Sequence, residues 1–263
     1  VRRRLPPPGV LVPAVAGLLF LVAPFVALLV AAPWSAMPDL VGSPEVAQAL
    51  GLSLRTAVAA TAICLVLGVP LASLLARGQV PGLGLVRALV TMPLVLPPVV
   101  GGVALLMLLG RRGLVGEHLD TWFGFTLPFT TAAVVVAEAF VALPFLVISV
   151  EGTLRGTDRA VEDAAATLGA SRWYVFRRVT LPRIAPGIAA GAVLCFARAL
   201  GEFGATITFA GNFPGTTRTM PLAIYLALEQ DPDAAIALSL VLVALSLAVL
   251  VALRGRWLTE LRR

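Results

Sequence analysis

The sequence predicts an all-α, polytopic membrane protein with about six transmembrane helices, and three observations predict it. Hydrophobic residues make up 59% of the 263 residues, and the mean hydropathy is +0.97. Charged residues make up 13%, against about 25% in an ordinary soluble domain. Six apolar stretches also reach the roughly 20 residues that a spanning helix needs. In lipid only helices and closed barrels satisfy their own backbone groups, and these stretches are continuous rather than alternating, so helices are expected.

In chain order the stretches are Val10–Ala32, Ser53–Ala76, Val86–Leu109, Thr130–Val150, Ile184–Ala210 and Ala234–Leu253. The first follows Arg2, Arg3 and Arg4, a basic start shared with secretory signals. Its 23 residues exceed the roughly 7–15 of a signal core, so it reads as a retained helix. The third contains Pro93, Pro97 and Pro98. Prolines remove backbone donors and kink helices, so this span should bend or break. A broken helix at membrane depth is tolerated where it packs in protein or lines a cavity. The cluster therefore fits either a packing kink or a transport pathway.

All twenty basic residues are arginine. Without lysine there is no GxxxxGK[ST] phosphate loop, so if ATP drives this protein, another subunit binds it. No cofactor or metal is expected on this chain. The pI of about 10.8 reads as basic loops on the cytoplasmic side rather than nucleic-acid binding, because no basic face carries exposed aromatics. With the N-terminus inside, fifteen arginines fall inside and four (Arg55, Arg111, Arg112, Arg218) outside, which places both termini in the cytoplasm. Cys64 and Cys195 lie in apolar spans and read as packing residues. His118 is the sole histidine, which leaves no histidine-based metal site or triad.

The longest inside loop, 151–183, carries its own pattern. Thr157-Asp158 offers an N-cap, and Arg159 and Asp163 are spaced for an i, i+4 ion pair. Ala164, Ala165, Ala166 and Leu168 give a short, small-faced helix, and Gly169 fits the C′ position. Ser171 can cap a second amphipathic segment, Arg172 to Leu181, ended by Pro182. Physics alone allows a surface helix pair with its arginines near lipid phosphates. It also allows a small-faced helix that seats in a groove of another protein.

The fifth span is polar where it should be apolar. Arg198 and Glu202 lie inside it, and ionisable groups there usually face a bundle interior or a water-filled path. At 100° per residue Arg198, Glu202, Thr206 and Asn212 share an arc of about 120°, a stripe that either lines the translocation pathway or closes on itself as an ion pair. Glu138 is a second available partner for Arg198. Gly187, Gly191, Cys195 and Ala199 form a separate small stripe suited to close helix approach.

Asp163-Ala-Ala-Ala-Thr-Leu-Gly169, nine residues, then Val179-Thr-Leu-Pro182 resembles the EAA loop of ABC importer permeases. That pattern reads E-A-A, three residues, G, nine residues, I, one residue, L-P; here Asp163 replaces Glu and Val179 replaces Ile. The resemblance implies that Asp163, Ala164, Ala165, Leu168, Gly169, Val179 and Pro182 couple the chain to a cytoplasmic ABC ATPase dimer, which holds the ATP and Mg. The segment Gly201-Glu-Phe-Gly-Ala-Thr-Ile-Thr-Phe-Ala-Gly-Asn212, the Pro-Gly-Thr loop and Pro221-Leu-Ala-Ile-Tyr225 are similar to the molybdate/tungstate members of the molybdate/sulfate branch. The run Met92 to Gly116 fits them too.

This resemblance covers most of residues 50–253 and implies one transmembrane permease domain over 1–263 with the type I importer fold. The first helix, 10–32, is generic; the core helices are 53–253. It further implies a homodimer in a prokaryotic cytoplasmic (inner) membrane and an extracytoplasmic oxyanion-binding protein. The chain itself would be non-catalytic. The competing readings are a sulfate, thiosulfate or other oxyanion permease, and an ion-coupled secondary transporter. The second would often show paired internal repeats, and none is visible.

Overall fold

A computed structural model describes residues 7–78 and 81–260. Arg2, Arg3, Arg4, Arg262 and Arg263, used above for orientation, lie outside the described residues. Every element is helical: α1 (Pro8–Val30), α2 (Met37–Val41), α3 (Pro44–Arg77), α4 (Leu83–Val95), α5 (Pro98–Leu109), α6 (Gly116–Phe123), α7 (Thr131–Gly156), α8 (Ala160–Thr167), α9 (Arg172–Val175), α10 (Leu181–Leu200), α11 (Gly204–Phe209), α12 (Met220–Gln230) and α13 (Pro232–Glu260). Five helical stretches are long and apolar enough to cross a membrane, and six if α4 and α5 count as one bent span. The chain is a polytopic membrane protein.

The second and fifth spans differ from the sequence reading, while the third breaks where its prolines lead one to expect. The second begins at Pro44, nine residues before Ser53, because Ser43 caps it through its hydroxyl (3.4 Å to the Val46 amide) and proline fits the first turn. The third breaks at Leu96-Pro97, with 117° between α4 and α5. Leu96 and Pro97 each precede a proline and are driven out of the helical region, to ψ 138° and 132°. The fifth, expected to be continuous from Ile184 to Ala210, ends at Leu200 and restarts at Gly204. The polar stripe drawn along it is therefore not one helical face.

The loop segment Arg172–Leu181 does not stop at Pro182 either. It runs into α10 as one stretch, Arg172–Leu200, through a π-helical turn at Phe176–Thr180. The Leu181 amide bonds to the Phe176 carbonyl, one residue further back than in an α-helix. Widening the turn just before Pro182 is one way to carry a helix past a residue without an N–H.

The core lies between α3, α7 and α10. Ala60, Cys64, Leu146, Val147, Val150, Leu154, Ile184 and Cys195 are fully buried there. Both cysteines are free, and the Cys64 thiol donates to the Ala139 carbonyl (3.4 Å). Lipid offers no hydrophobic drive between helices, so close approach of small residues decides the packing. Gly187, Gly191, Cys195 and Ala199 are all buried along α10, and the two glycines lie against α7. A Cβ on Gly191 would stand 2.9 Å from Leu146 Cδ1, and one on Gly187 would stand 2.6 Å from Thr153 Cβ. By contrast α1 buries none of its spanning window.

Gly187→Val should lower the thermal midpoint of the detergent-purified protein, at a cost of about 1–3 kcal/mol for overpacking. An unchanged midpoint would contradict the α7–α10 contact.

Candidate functional site

Two features stand out: a two-helix elbow at one end of the bundle, and a polar break in the fifth span. The elbow starts at Asp158, whose carboxylate accepts from the Ala160 amide (2.9 Å); Thr157 ends α7 instead of sharing that role. Arg159 does not pair with Asp163. Helical side chains tilt towards the N-terminus, so from the head of α8 its guanidinium reaches back and donates to the Ala76 carbonyl (3.1 Å). Glu162 and Asp163 sit in the first turn, where negative charge complements the helix dipole.

Gly169 ends α8 at φ +86°, a left-handed conformation that glycine adopts without strain. The Ala170 amide bonds to the Ala165 carbonyl (3.1 Å) and the Gly169 amide to that of Ala166 (3.0 Å), a complete Schellman motif. The Ser171 hydroxyl then caps α9 through the Tyr174 amide (3.3 Å). Helix α8 buries none of its residues. Leu168 is 89% exposed, and Val161, Trp173 and Tyr174 of the same two helices are exposed as well. A depression of about 450 Å³ runs over Ala165, Leu168, Gly169, Ala170, Ser171 and Tyr174. Apolar side chains grouped on a polar rim mark an interaction surface.

The structure gathers Asp163, Ala164, Ala165, Leu168 and Gly169 at the tip of this elbow. Val179 and Pro182 stand apart from them, at the root, in the π turn and the first turn of α10. Sequence reasoning missed the side chains that rope the elbow to the bundle. Arg77, the last residue of α3, donates to the Thr157 carbonyl (3.1 Å) and pairs with Glu162 (3.3 Å). Arg183 donates to the Asp158 carbonyl (3.2 Å). Arg87 pairs with Glu151 (2.8 Å) and also reaches the Leu75 carbonyl (3.3 Å), while Arg155 joins Glu151 (2.9 Å). The last carbonyls of α3, which have no partner within their own helix, are thus capped by arginines from α4 and from the elbow.

At the other feature, Glu202 is 1% exposed and both its oxygens are engaged. One accepts from the Ala205 amide (2.7 Å) and so caps α11; the other pairs with Arg198 (2.6 Å). Thr206 is fully buried beside them. Glu138 does not meet Arg198; it accepts from the Thr56 hydroxyl (2.8 Å). Asn212 lies beyond Gly211 and accepts from Arg218 (2.9 Å). Of the four stripe residues, Glu202 and Thr206 are enclosed, and Arg198 and Asn212 are partly exposed.

The breaks of the third and fifth spans meet. A Cβ on Gly204 would lie 2.9 Å from Pro98 Cβ, and one on Gly102 would lie 2.8 Å from the Ala205 carbonyl oxygen. Phe203, at the break, packs on Tyr225 of α12 (centroids 5.1 Å). Among the described residues no cluster of three or more His, Cys, Asp or Glu could hold a metal ion.

Comparison with known proteins agrees with this architecture. Over 95% of its length the chain superposes on a bacterial ABC transporter involved in the import of the acidic polysaccharide alginate, with TM-score 0.70, 19% identity and 93% of that chain covered. The inward-facing MetNI methionine ABC transporter gives TM-score 0.63 at 17% identity, over 81% of this chain and 94% of that one. The molybdenum transport system permease protein ModB of Mycobacterium bovis is 50% identical over 230 residues, 88% of this chain and 87% of that protein. The same-named protein of Escherichia coli K12 is 44% identical over 216 residues, 82% of this chain and 94% of its own length. The sulfate transport system permease protein CysT of Escherichia coli K12 is 36% identical over 197 residues, 75% and 71%. Residues 68–259 match the model of the binding-protein-dependent transport system inner membrane component, and the chain belongs to that family.

Proposed function

We propose that this chain is the membrane-spanning subunit of an ATP-driven importer for a tetrahedral oxyanion, molybdate or tungstate ahead of sulfate or thiosulfate. The observation that carries the reading is the elbow: exposed apolar side chains around a rigid Schellman turn, tied by arginines to the end of α3. Such a surface suits a grip by another protein, and its ropes suit transmission of that protein's movement. In this reading the elbow end and both termini are cytoplasmic, and Asp163, Ala164, Ala165, Leu168 and Gly169 seat on an ABC ATPase dimer. Val179 and Pro182 set the angle at which the elbow leaves α10.

The ATPase hydrolyses ATP with Mg; this chain contributes no catalytic group and binds no cofactor. An oxyanion-binding protein docks at the opposite end. A second copy of the chain completes the pathway. Movement of the elbow pulls on α3 and α7, whose packing leads to the paired breaks at Pro97 and Glu202. The Arg198–Glu202 pair holds that joint rather than the anion, and Arg198 and Asn212 flank the route. Similarity to the molybdenum permeases, higher and over more of the chain than to the sulfate permease, supports the order of substrates.

The test is uptake of radiolabelled molybdate into proteoliposomes carrying the chain with its ATPase and binding protein. Uptake that requires ATP and the binding protein is expected; none, with an intact complex, would contradict the reading. Sulfate in large excess should compete poorly, and strong competition would move the assignment to sulfate. Gly169→Arg should abolish molybdate-stimulated ATPase activity. A Cβ there meets nothing within 4 Å in this chain, so the cost comes from the left-handed φ, about 1–2 kcal/mol, and from bulk at the gripped surface. Undiminished stimulation in that variant would refute the role of the elbow.

A further inference from the structure

We infer that Arg55, with Gln48 and the close approach of Gly215, forms a weak transit site for the oxyanion near the end of the bundle opposite the elbow. The inference rests on the importer reading above. A cavity of about 480 Å³ is lined by Ala47, Gln48, Gly51, Leu52, Arg55 and Gly215. Gln48, Leu52 and Arg55 are spaced i, i+4, i+7 and share one face of α3. No acidic side chain lines the cavity. The Arg55 guanidinium has no carboxylate within ion-pair distance among the described residues, whereas Arg198 is neutralised by Glu202 and Arg111 by Asp120.

Arg55 is exposed on α3, while its neighbour Thr56 is buried and hydrogen-bonded to Glu138 (2.8 Å). The guanidinium is therefore held against the packed bundle yet open to an approaching anion. Gly215, at φ +69°, supplies the opposite wall: a Cβ there would stand 3.4 Å from Gln48 Oε1, so the loop passes close over the Gln48 amide. One guanidinium and one amide donor match the oxygen atoms of a tetrahedral dianion. At roughly 30 Å³ per water the cavity holds the anion with much of its hydration shell, which keeps binding loose enough for release.

The experiment compares wild type, Arg55→Gln and Arg55→Lys in the reconstituted complex. The readouts are radiolabelled molybdate uptake and ATPase stimulation by the loaded binding protein. R55Q should lose at least tenfold in uptake while stimulation persists, and R55K should recover most of the loss. Arg55→Cys supplies a second route that starts from an assembled protein. An aminoethyl thiosulfonate reagent, which restores a positive charge, should raise its uptake several-fold, and a negatively charged sulfonatoethyl reagent should not. Unchanged uptake in R55Q beside an active wild type, as expected if the guanidinium only reaches lipid headgroups, overturns the site. So does equal rescue by both reagents. Failure of the wild-type complex to move molybdate, tungstate or sulfate overturns the importer reading and the site with it.

Discussion

A helix broken inside a membrane must satisfy its freed backbone groups from within the protein, and in this chain one carboxylate does so where the breaks of the third and fifth spans meet. Glu202 caps α11 through the Ala205 amide and is held in place by Arg198. Ala205 is fully buried, so its amide left unmet would cost about 2–7 kcal/mol. The carboxylate therefore fixes where α10 ends and how α11 leaves it. With α11 so placed, Gly204 comes against Pro98, and the bent third span packs into the broken fifth. The two irregular regions are one joint seen from two helices.

The same logic governs the elbow. The C-terminal carbonyls of α3 lack partners in their own helix, and Arg87 and Arg159 supply them. Arg159 belongs to the elbow, so the elbow's seat and the end of α3 are a single unit. Between the elbow and the joint lies the dense α3–α7–α10 core, built on a stripe of Gly187, Gly191, Cys195 and Ala199 that leaves no room for slack. Close-packed interiors transmit displacement rather than absorb it. In the function proposed above, this core would link the ATPase-facing elbow to the paired breaks.

Much of this was legible in the sequence, for identifiable reasons. Apolar length located every span, because a bilayer requires about 20 such residues whatever the tertiary context. The small stripe on α10 and the capping residues Gly169 and Ser171 could be read because each follows from local geometry. The break at Pro97 was signalled by its prolines. The break at Glu202 was hidden, because glycine and glutamate are both tolerated within helices, and only the buried amide of Ala205 shows why the carboxylate turns inward. Arg159 was misread for a similar reason: spacing offered Asp163, but the Ala76 carbonyl, 83 residues away in sequence, was the better-placed partner. Pro182 read as a stop and instead follows a π turn, a backbone adjustment that spacing alone does not reveal.

Grip of the elbow by an external motor is what Leu168→Cys tests most directly, since that side chain is exposed and Cys64 and Cys195 are both buried. A short thiol-reactive crosslinker on the introduced thiol should capture the ATPase subunit in the intact complex, with a yield that changes as ATP binds and is hydrolysed. Reaction of that thiol only with lipid probes, or only with reagents added from outside the cell, would contradict it.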